Sequence, residues 1–194
     1  MKCRFCKNEL HDLFLDLGSA PPSNAFLSHA DLAKAELYFP LRLFTCRICF
    51  LVQVDEVQKH EQIFSSDYLY FSSFSSSWLK HAENYAEKVI ERLSMDCNSF
   101  AMEIASNDGY LLQYFKKNEI PCIGIEPTAS TAMVAREKGI ETIERFFGLP
   151  FAEEFIAKNP QPDLIIGNNV LAHVPDLNDF VAGLARTVDP EGVI

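Results

Sequence analysis

From Ser99 onward the chain alternates short apolar runs with amphipathic stretches, and the first changeover is the feature that most constrains its fold. Phe100 to Ala105 reads as a strand broken by Glu103, and Ser106-Asn107-Asp108-Gly109 follows as four residues that favour turns and helix N-caps. The spacing then predicts a helix from Tyr110, with Leu111, Leu112 and Phe115 on one face. In an open α/β sheet, a polar turn at the carboxyl end of a strand is where ligands settle, because unpaired N–H groups of the following helix point into it. A second acid, Glu126, ends the next apolar run in Pro121-Cys122-Ile123-Gly124-Ile125-Glu126-Pro127, at a sequence distance that suits a carboxylate gripping ribose hydroxyls. Such an acid is costly unless something there needs it. Turn and acid together predict a nucleoside pocket, against which stands a plain turn, cap or core role for each residue.

The alternation continues with helices at 128–138, near 150–158 and at 177–188, and with strands at 122–126, 140–146 and 163–168. A fresh strand starts at Glu191-Gly192-Val193-Ile194. That order predicts the α/β class, with a parallel sheet and crossover helices. Upstream, Leu79, Ala82, Ala86, Val89 and Leu93 follow helical spacing over 78–93. The Ser-rich, aromatic stretch from Asp67 to Trp78 holds the only tryptophan, and so many rings are poor choices for a solvated tether, so it is expected to pack.

Near the start, Cys3 and Cys6 form one C-x2-C pair, and Cys46 and Cys49 form another. Two such knuckles suit a closed, tetrahedral, structural zinc site. Redox pairs are the alternative, although no βαβ context surrounds either one. Between them Leu13 to Leu17 and Leu37 to Phe44 read as strands, joined by a turn-rich connection from Gly18 to Asn24. The expected division is a zinc-binding domain over 1–57, an aromatic segment and helix over 58–98, and an α/β domain over 99–194. Apolar residues make up 48% of the 194, enough for a packed core. A net charge of −10 argues against a nucleic-acid partner, whose phosphates need a basic surface. No run reaches membrane-spanning length and Met1 to Cys6 lacks a signal-peptide core, so no membrane partner and a cytoplasmic location, where thiols stay reduced, are expected.

Three stretches carry a family resemblance: Glu103 to Leu112, Gly124-Ile125-Glu126-Pro127, and Asn168-Asn169-Val170-Leu171-Ala172-His173-Val174-Pro175-Asp176. They resemble three motifs of S-adenosylmethionine-dependent methyltransferases. With the cysteine knuckles and Tyr68 to Trp78 added, the set looks like the sugar C-methyltransferases that act on nucleotide-linked deoxysugars. Those enzymes have an N-terminal zinc-binding domain, a central methyltransferase domain and a C-terminal domain. The resemblance implies a small zinc-binding domain followed by a partial Rossmann-like domain that binds S-adenosylmethionine, and a small-molecule acceptor.

It also implies roles. Glu103, Ser106, Asn107, Asp108 and Gly109 would lie by the methionine part of the cofactor, and Glu126 with Pro127 by the ribose. Phe146 and Phe147 would flank the adenine, and Asn168 and Asn169 would stand on the rim beside the departing methyl group. The loop departs from the glycine-rich pattern, with Ala105 and Ser106 standing where glycine-like residues are usual. Methylation of carbon needs a base next to a carbonyl, and the His beside a Glu suspected in the family has no counterpart here. Tyr68 and Tyr70 match family tyrosines near the substrate, and His173 is the third catalytic candidate, with helix packing or capping as its plainer explanation.

A methyltransferase sheet of the usual kind has three more strands after the fourth, so the apolar edge at 164–168 needs cover. Either Val193-Ile194 and an oligomer partner supply it, or the chain is part of a longer polypeptide that binds cofactor but turns over poorly alone. The competing readings are a methyltransferase for another small molecule and a non-catalytic zinc- and nucleoside-binding module.

Overall fold

The computed structural model describes residues 1–23, 26–55 and 70–194. The chain forms two compact units, one of residues 1–69 with 175–178 and one of 70–174 with 179–194.

In the first unit, β1 (Asp12–Ala20), β2 (Phe39–Thr45) and β3 (Val52–Val54) make an antiparallel sheet in the order β1-β2-β3. The stretch from Gly18 that read as a connection belongs to β1 as far as Ala20. The register slips between Asp16 and Ser19, and Gly18 absorbs the slip at φ +79°, its N–H donating to Asp16 Oδ1 at 2.8 Å. Glycine reaches that left-handed conformation at little steric cost, so the strand bulges instead of ending. The turn signals of Gly18 and Ser19 mark an irregularity inside the strand.

The second unit opens with α1 (Ser76–Leu93), capped by Ser75, whose hydroxyl accepts from Trp78 N–H at 3.3 Å. Then β4 (Ala101–Ile104), α2 (Leu112–Lys117), β5 (Cys122–Ile125), α3 (Ala129–Glu137), β6 (Glu141–Ile143), α4 (Leu149–Ile156), β7 (Leu164–Ile166) and α5 (Leu177–Thr187) alternate as expected. The four strands are parallel, in the order β6-β5-β4-β7. Strand order thus reverses at β4, and the crevice outside the carboxyl ends of β4 and its neighbours is where such sheets take ligands.

Both faces of the sheet are buried, and the period-2 alternation of each strand feeds two cores. Ala101, Leu164 and Ile166 pack with Ala82, Ala86, Leu111, Leu112 and Phe115 from α1 and α2. Met102, Ile104, Ile123, Ile125 and Ile165 pack with Phe151, Phe155 and Phe180 from α4 and α5. Fully burying a side chain such as Phe115 or Ile165 contributes about 1.5–3 kcal/mol.

Two expected elements differ. The helix foreseen from Tyr110 begins at Leu112, because the polar turn runs on through Leu111. The strand foreseen at 191–194 is a single parallel bridge between Val193 and Leu164, with Ile165 N–H donating to the Val193 carbonyl at 2.9 Å. Among the described residues, no helix is long and apolar enough to cross a membrane.

Gly124 in β5 faces the polar turn so closely that an added Cβ would lie 2.3 Å from Ser106 Oγ and 2.9 Å from its Cβ. Gly124→Ala should therefore destabilise the protein by about 1–3 kcal/mol, as overpacked cores do, read from denaturant midpoints. Ser106→Gly in the same chain should restore part of that loss.

Candidate cofactor and zinc sites

The four knuckle cysteines converge. Their sulfurs all lie within 4.8 Å of one another, with Cys3 Sγ 3.6 Å from Cys49 Sγ and Cys6 Sγ 3.5 Å from Cys46 Sγ. A tetrahedron of thiolates about 2.3 Å from a zinc ion has edges of about 3.8 Å, so the spacing fits the metal. None of the four forms a disulfide. The two knuckles repeat one backbone design. Lys7 N–H donates to the Cys3 carbonyl and Phe50 N–H to the Cys46 carbonyl, each at 3.0 Å, and both donors sit in the left-handed region at φ 61° and 62°. Gln53, which belongs to no motif legible in the sequence, braces the site. Its buried amide donates to Cys3 Sγ at 3.4 Å while its oxygen accepts from Arg4 N–H at 3.0 Å. Such outer contacts fix the orientation of metal ligands.

In the second unit the polar turn has a regular alternation of backbone conformation: Ala105, Asn107 and Gly109 all have positive φ, at 57°, 52° and 73°. Every second residue is left-handed, so the glycine-like positions are 105, 107 and 109. Ser106 is not one of them, and it packs against Gly124. Gly109 has a second reason to be glycine, since a Cβ there would fall 2.4 Å from Ile140 Cδ1.

Glu126 closes this turn onto β5. It is 4% exposed, and its carboxylate accepts from Asn107 N–H through Oε2 and from Thr128 N–H through Oε1, both at 2.8 Å. Burial pushes its carboxyl up, while the N–H groups of Thr128 and Asn107 draw it back down. The side chains of Thr128 and Thr131 draw the carboxyl down as well. Pro127, half-buried, follows directly.

The Asn107 and Asp108 side chains turn toward the segment 70–73. Asn107 donates to the Tyr70 carbonyl at 3.0 Å and accepts from Ser72 N–H at 2.9 Å, and Asp108 Oδ2 accepts from Ser73 N–H at 3.3 Å. Lys138 Nζ joins them, donating to the Asp108 carbonyl at 2.8 Å, to its carboxylate at 3.2 Å and to Ser73 Oγ at 2.7 Å. These two side chains therefore fasten the segment before α1 to the turn. The buried atoms Ser106 Oγ, Asp108 Oδ1 and Glu103 Oε2 have no hydrogen-bond partner among the described residues. Orphaned polar atoms around one strained turn suit a polar ligand, and they fit the amine, carboxylate and hydroxyls of S-adenosylmethionine.

Glu103 is the deepest acid, 1% exposed, with the Tyr110 hydroxyl placed between it and Asn168 and within hydrogen-bonding reach of both. Burial raises its carboxyl well above the usual glutamate range; Tyr110 opposes this, and the charges of Glu126 and Asp108 add to it. On the other side of Tyr110 lies a cavity of about 240 Å³, lined by Trp78, His81, Ala82, Tyr85, Tyr110, Leu111, Asn168 and Asn169.

Of the remaining candidates, Asn168 and Asn169 are exposed just beyond β7, with Asn169 at φ 54°. His173 is exposed in a short 3-10 turn, Leu171–His173. Tyr70 is 51% exposed and Phe146 41% exposed, whereas Phe147 packs against Phe180 with ring centroids 5.4 Å apart. Tyr68 lies outside the described residues.

Fold and sites together match two domain families. Residues 3–64 match the family model described as "Putative zinc binding domain", and residues 102–194 match that described as "Methyltransferase domain". The C-methyltransferase NovU of Streptomyces niveus is 29% identical over 195 residues, covering 99% of this chain and 46% of NovU. The chain thus spans about half the length of that curated relative. Similar solved structures include the YcgJ protein of Bacillus subtilis, at 20% identity and a TM-score of 0.46, covering 58% of this chain and 48% of that one. DesVI of Streptomyces venezuelae has 19% identity and a TM-score of 0.45, covering 59% of this chain and 48% of its own.

Metal analysis should find close to one zinc per chain, and Cys46→Ser should lose most of it, together with the cooperative unfolding of the first unit. Glu103 sets a pH dependence. Because its folded pKa is raised, its contribution to stability is fully present below the ordinary glutamate range and is lost as pH rises through the folded value. The stability of Glu103→Gln relative to the parent chain should therefore grow with pH above that range, as measured by denaturation at a series of pH values.

Proposed function

We propose that this chain is the zinc- and cofactor-binding part of a C-methyltransferase whose acceptor is a nucleotide-linked deoxysugar. The observation that carries this is the buried Glu126 carboxylate, bonded to the Asn107 amide at the carboxyl end of β5. S-adenosylmethionine, when bound, supplies an electrophilic methyl group on a sulfonium. Glu126 would hold the ribose hydroxyls, with Pro127 beside it. Ser106, Asn107, Asp108 and Gly109 would present backbone and side-chain polar groups to the methionine part, over Glu103. Phe146 would border the adenine, and Asn168 and Asn169 the reacting end.

The similarity to a C-methyltransferase supports carbon as the methyl acceptor. Such a reaction requires removal of a proton beside a carbonyl. His173, exposed on the segment that follows Asn168 and Asn169, carries an imidazole that could serve as this base. Tyr70, anchored through its carbonyl to Asn107, and Tyr68 would assist by orienting the acceptor. Four free knuckle thiols and a net charge of −10 favour a cytoplasmic protein that acts on a small molecule.

Calorimetry should detect S-adenosylhomocysteine binding to the chain, and Glu126→Ala should weaken it at least about tenfold, the cost of losing a charge-assisted pair of hydrogen bonds. No heat at millimolar ligand would overturn the cofactor assignment. A labelled-methyl assay over nucleotide-linked 4-keto-6-deoxysugars should give product that His173→Asn diminishes; cofactor binding without product from any sugar would favour a non-catalytic module.

A further inference from the structure

α3 is fastened to the polar turn at both ends. At its start Thr128 N–H donates to Glu126, whose other oxygen holds Asn107 N–H. At its far end Lys138 caps the helix, and Lys116 Nζ fixes that cap by donating to the carbonyls of Lys138 at 3.2 Å and Gly139 at 2.7 Å. Gly109 lets this end approach the turn, because a Cβ there would run into Ile140 and crowd Ala135. The Lys138 side chain then reaches into the turn. An ammonium has three N–H donors, and each meets an acceptor: the Asp108 carbonyl at 2.8 Å, Asp108 Oδ2 at 3.2 Å and Ser73 Oγ at 2.7 Å.

We propose that Lys138 is a positioning residue for the cofactor: it sets the backbone of the turn that meets the methionine part and fastens the segment 70–73 to that turn. This role rests on the assignment of the turn to S-adenosylmethionine made above, and deepens it by naming a residue that acts through the turn without touching the ligand. The bond to the Asp108 carbonyl fixes one side of the planar peptide that joins Asp108 to Gly109. On the other side the Gly109 N–H donates to the Ser106 carbonyl at 3.1 Å, so this peptide cannot rotate while both bonds hold. The bond to Ser73 Oγ adds a side-chain anchor to a segment that Asn107 and Asp108 hold by its backbone groups. Charge favours the same arrangement. The Asp108 side chain is 2% exposed and would be costly to bury as a lone anion; Lys138, 30% exposed, is its counter-charge. One cation thus orders turn and segment together. By linkage, a ligand that binds better to the ordered turn must also tighten the segment, and loosening the segment must weaken the ligand. Tyr70, proposed above to orient the acceptor, belongs to this segment, so cofactor binding would settle the acceptor side as well.

Two substitutions separate this role from plain support of the fold. Lys138→Met keeps a long apolar stem and loses the charge, whereas Ser73→Ala breaks one bond and leaves the Lys138–Asp108 pair whole. S-adenosylhomocysteine would be titrated by calorimetry into the full parent chain and each variant, and hydrogen exchange at the amides of Ser72 and Ser73 followed by mass spectrometry with and without it. Lys138→Met should weaken the ligand by about fivefold or more, and Ser73→Ala by less. In both, the two amides should exchange faster than in the parent and gain less protection when ligand is added. A residue that only supports the fold would lower the unfolding midpoint and leave both readouts where they were. Parent-like affinity in Lys138→Met would overturn the positioning role, and so would weakened affinity with unchanged exchange at Ser72 and Ser73. Should Lys138→Met fail to fold, Ser73→Ala decides by the same two readouts. If the parent chain binds no S-adenosylhomocysteine, the cofactor assignment of the turn falls and the role of Lys138 falls with it.

Discussion

A single carboxylate, Glu126, holds the carboxyl edge of the parallel sheet in place. One oxygen takes the N–H of Asn107 and the other the N–H of Thr128, so the end of β5, the middle of the turn after β4 and the entry to α3 meet at one group. Burial would make such an acid expensive, and the two amides offset part of that cost. The consequences spread outward. With Asn107 pinned at φ 52°, its amide side chain faces the segment 70–72 and fixes it by two hydrogen bonds. Asp108, next in line, adds Ser73 and Lys138. The order of the stretch leading into α1 is thus inherited from the geometry of the turn.

That dependence explains what a reader of the sequence could and could not see. The class of fold was legible because each element carried its own signature: apolar runs of strand length, helices of regular period, and Glu126 at a strand end. The paired cysteines were equally plain, since spacing alone brings two sulfurs to one side of a tight loop. Backbone handedness was not. Ala105 and Asn107 adopt conformations that glycine usually holds, and nothing local announces that an alanine will be left-handed; the constraint comes from Gly124 and Glu126 across the sheet. Residues whose value lies in a tertiary neighbour were invisible for the same reason. Gln53 matters because Cys3 is beside it, and Trp78 and His81 look like one turn of an amphipathic helix until Tyr110 and the two asparagines close around them.

The acids of the site divide the work by depth. Glu126 ends β5 and is held by backbone amides, whereas Glu103 lies one strand further in, where burial raises its carboxyl well above the usual glutamate range. Tyr110 opposes that rise, so the deeper acid is tied to the turn that follows β4.

The twin knuckles have an implication of a different sort. Cys3 and Cys46 stand far apart along the polymer, and a metal shared between them ties off the intervening stretch, β1 and β2 included. Such a tie, closed around β1 and β2, removes disordered arrangements from the loose chain much as a covalent bridge does. Unlike a bridge it is released by ligand exchange, so the small module's folding would follow the cell's supply of free metal ion.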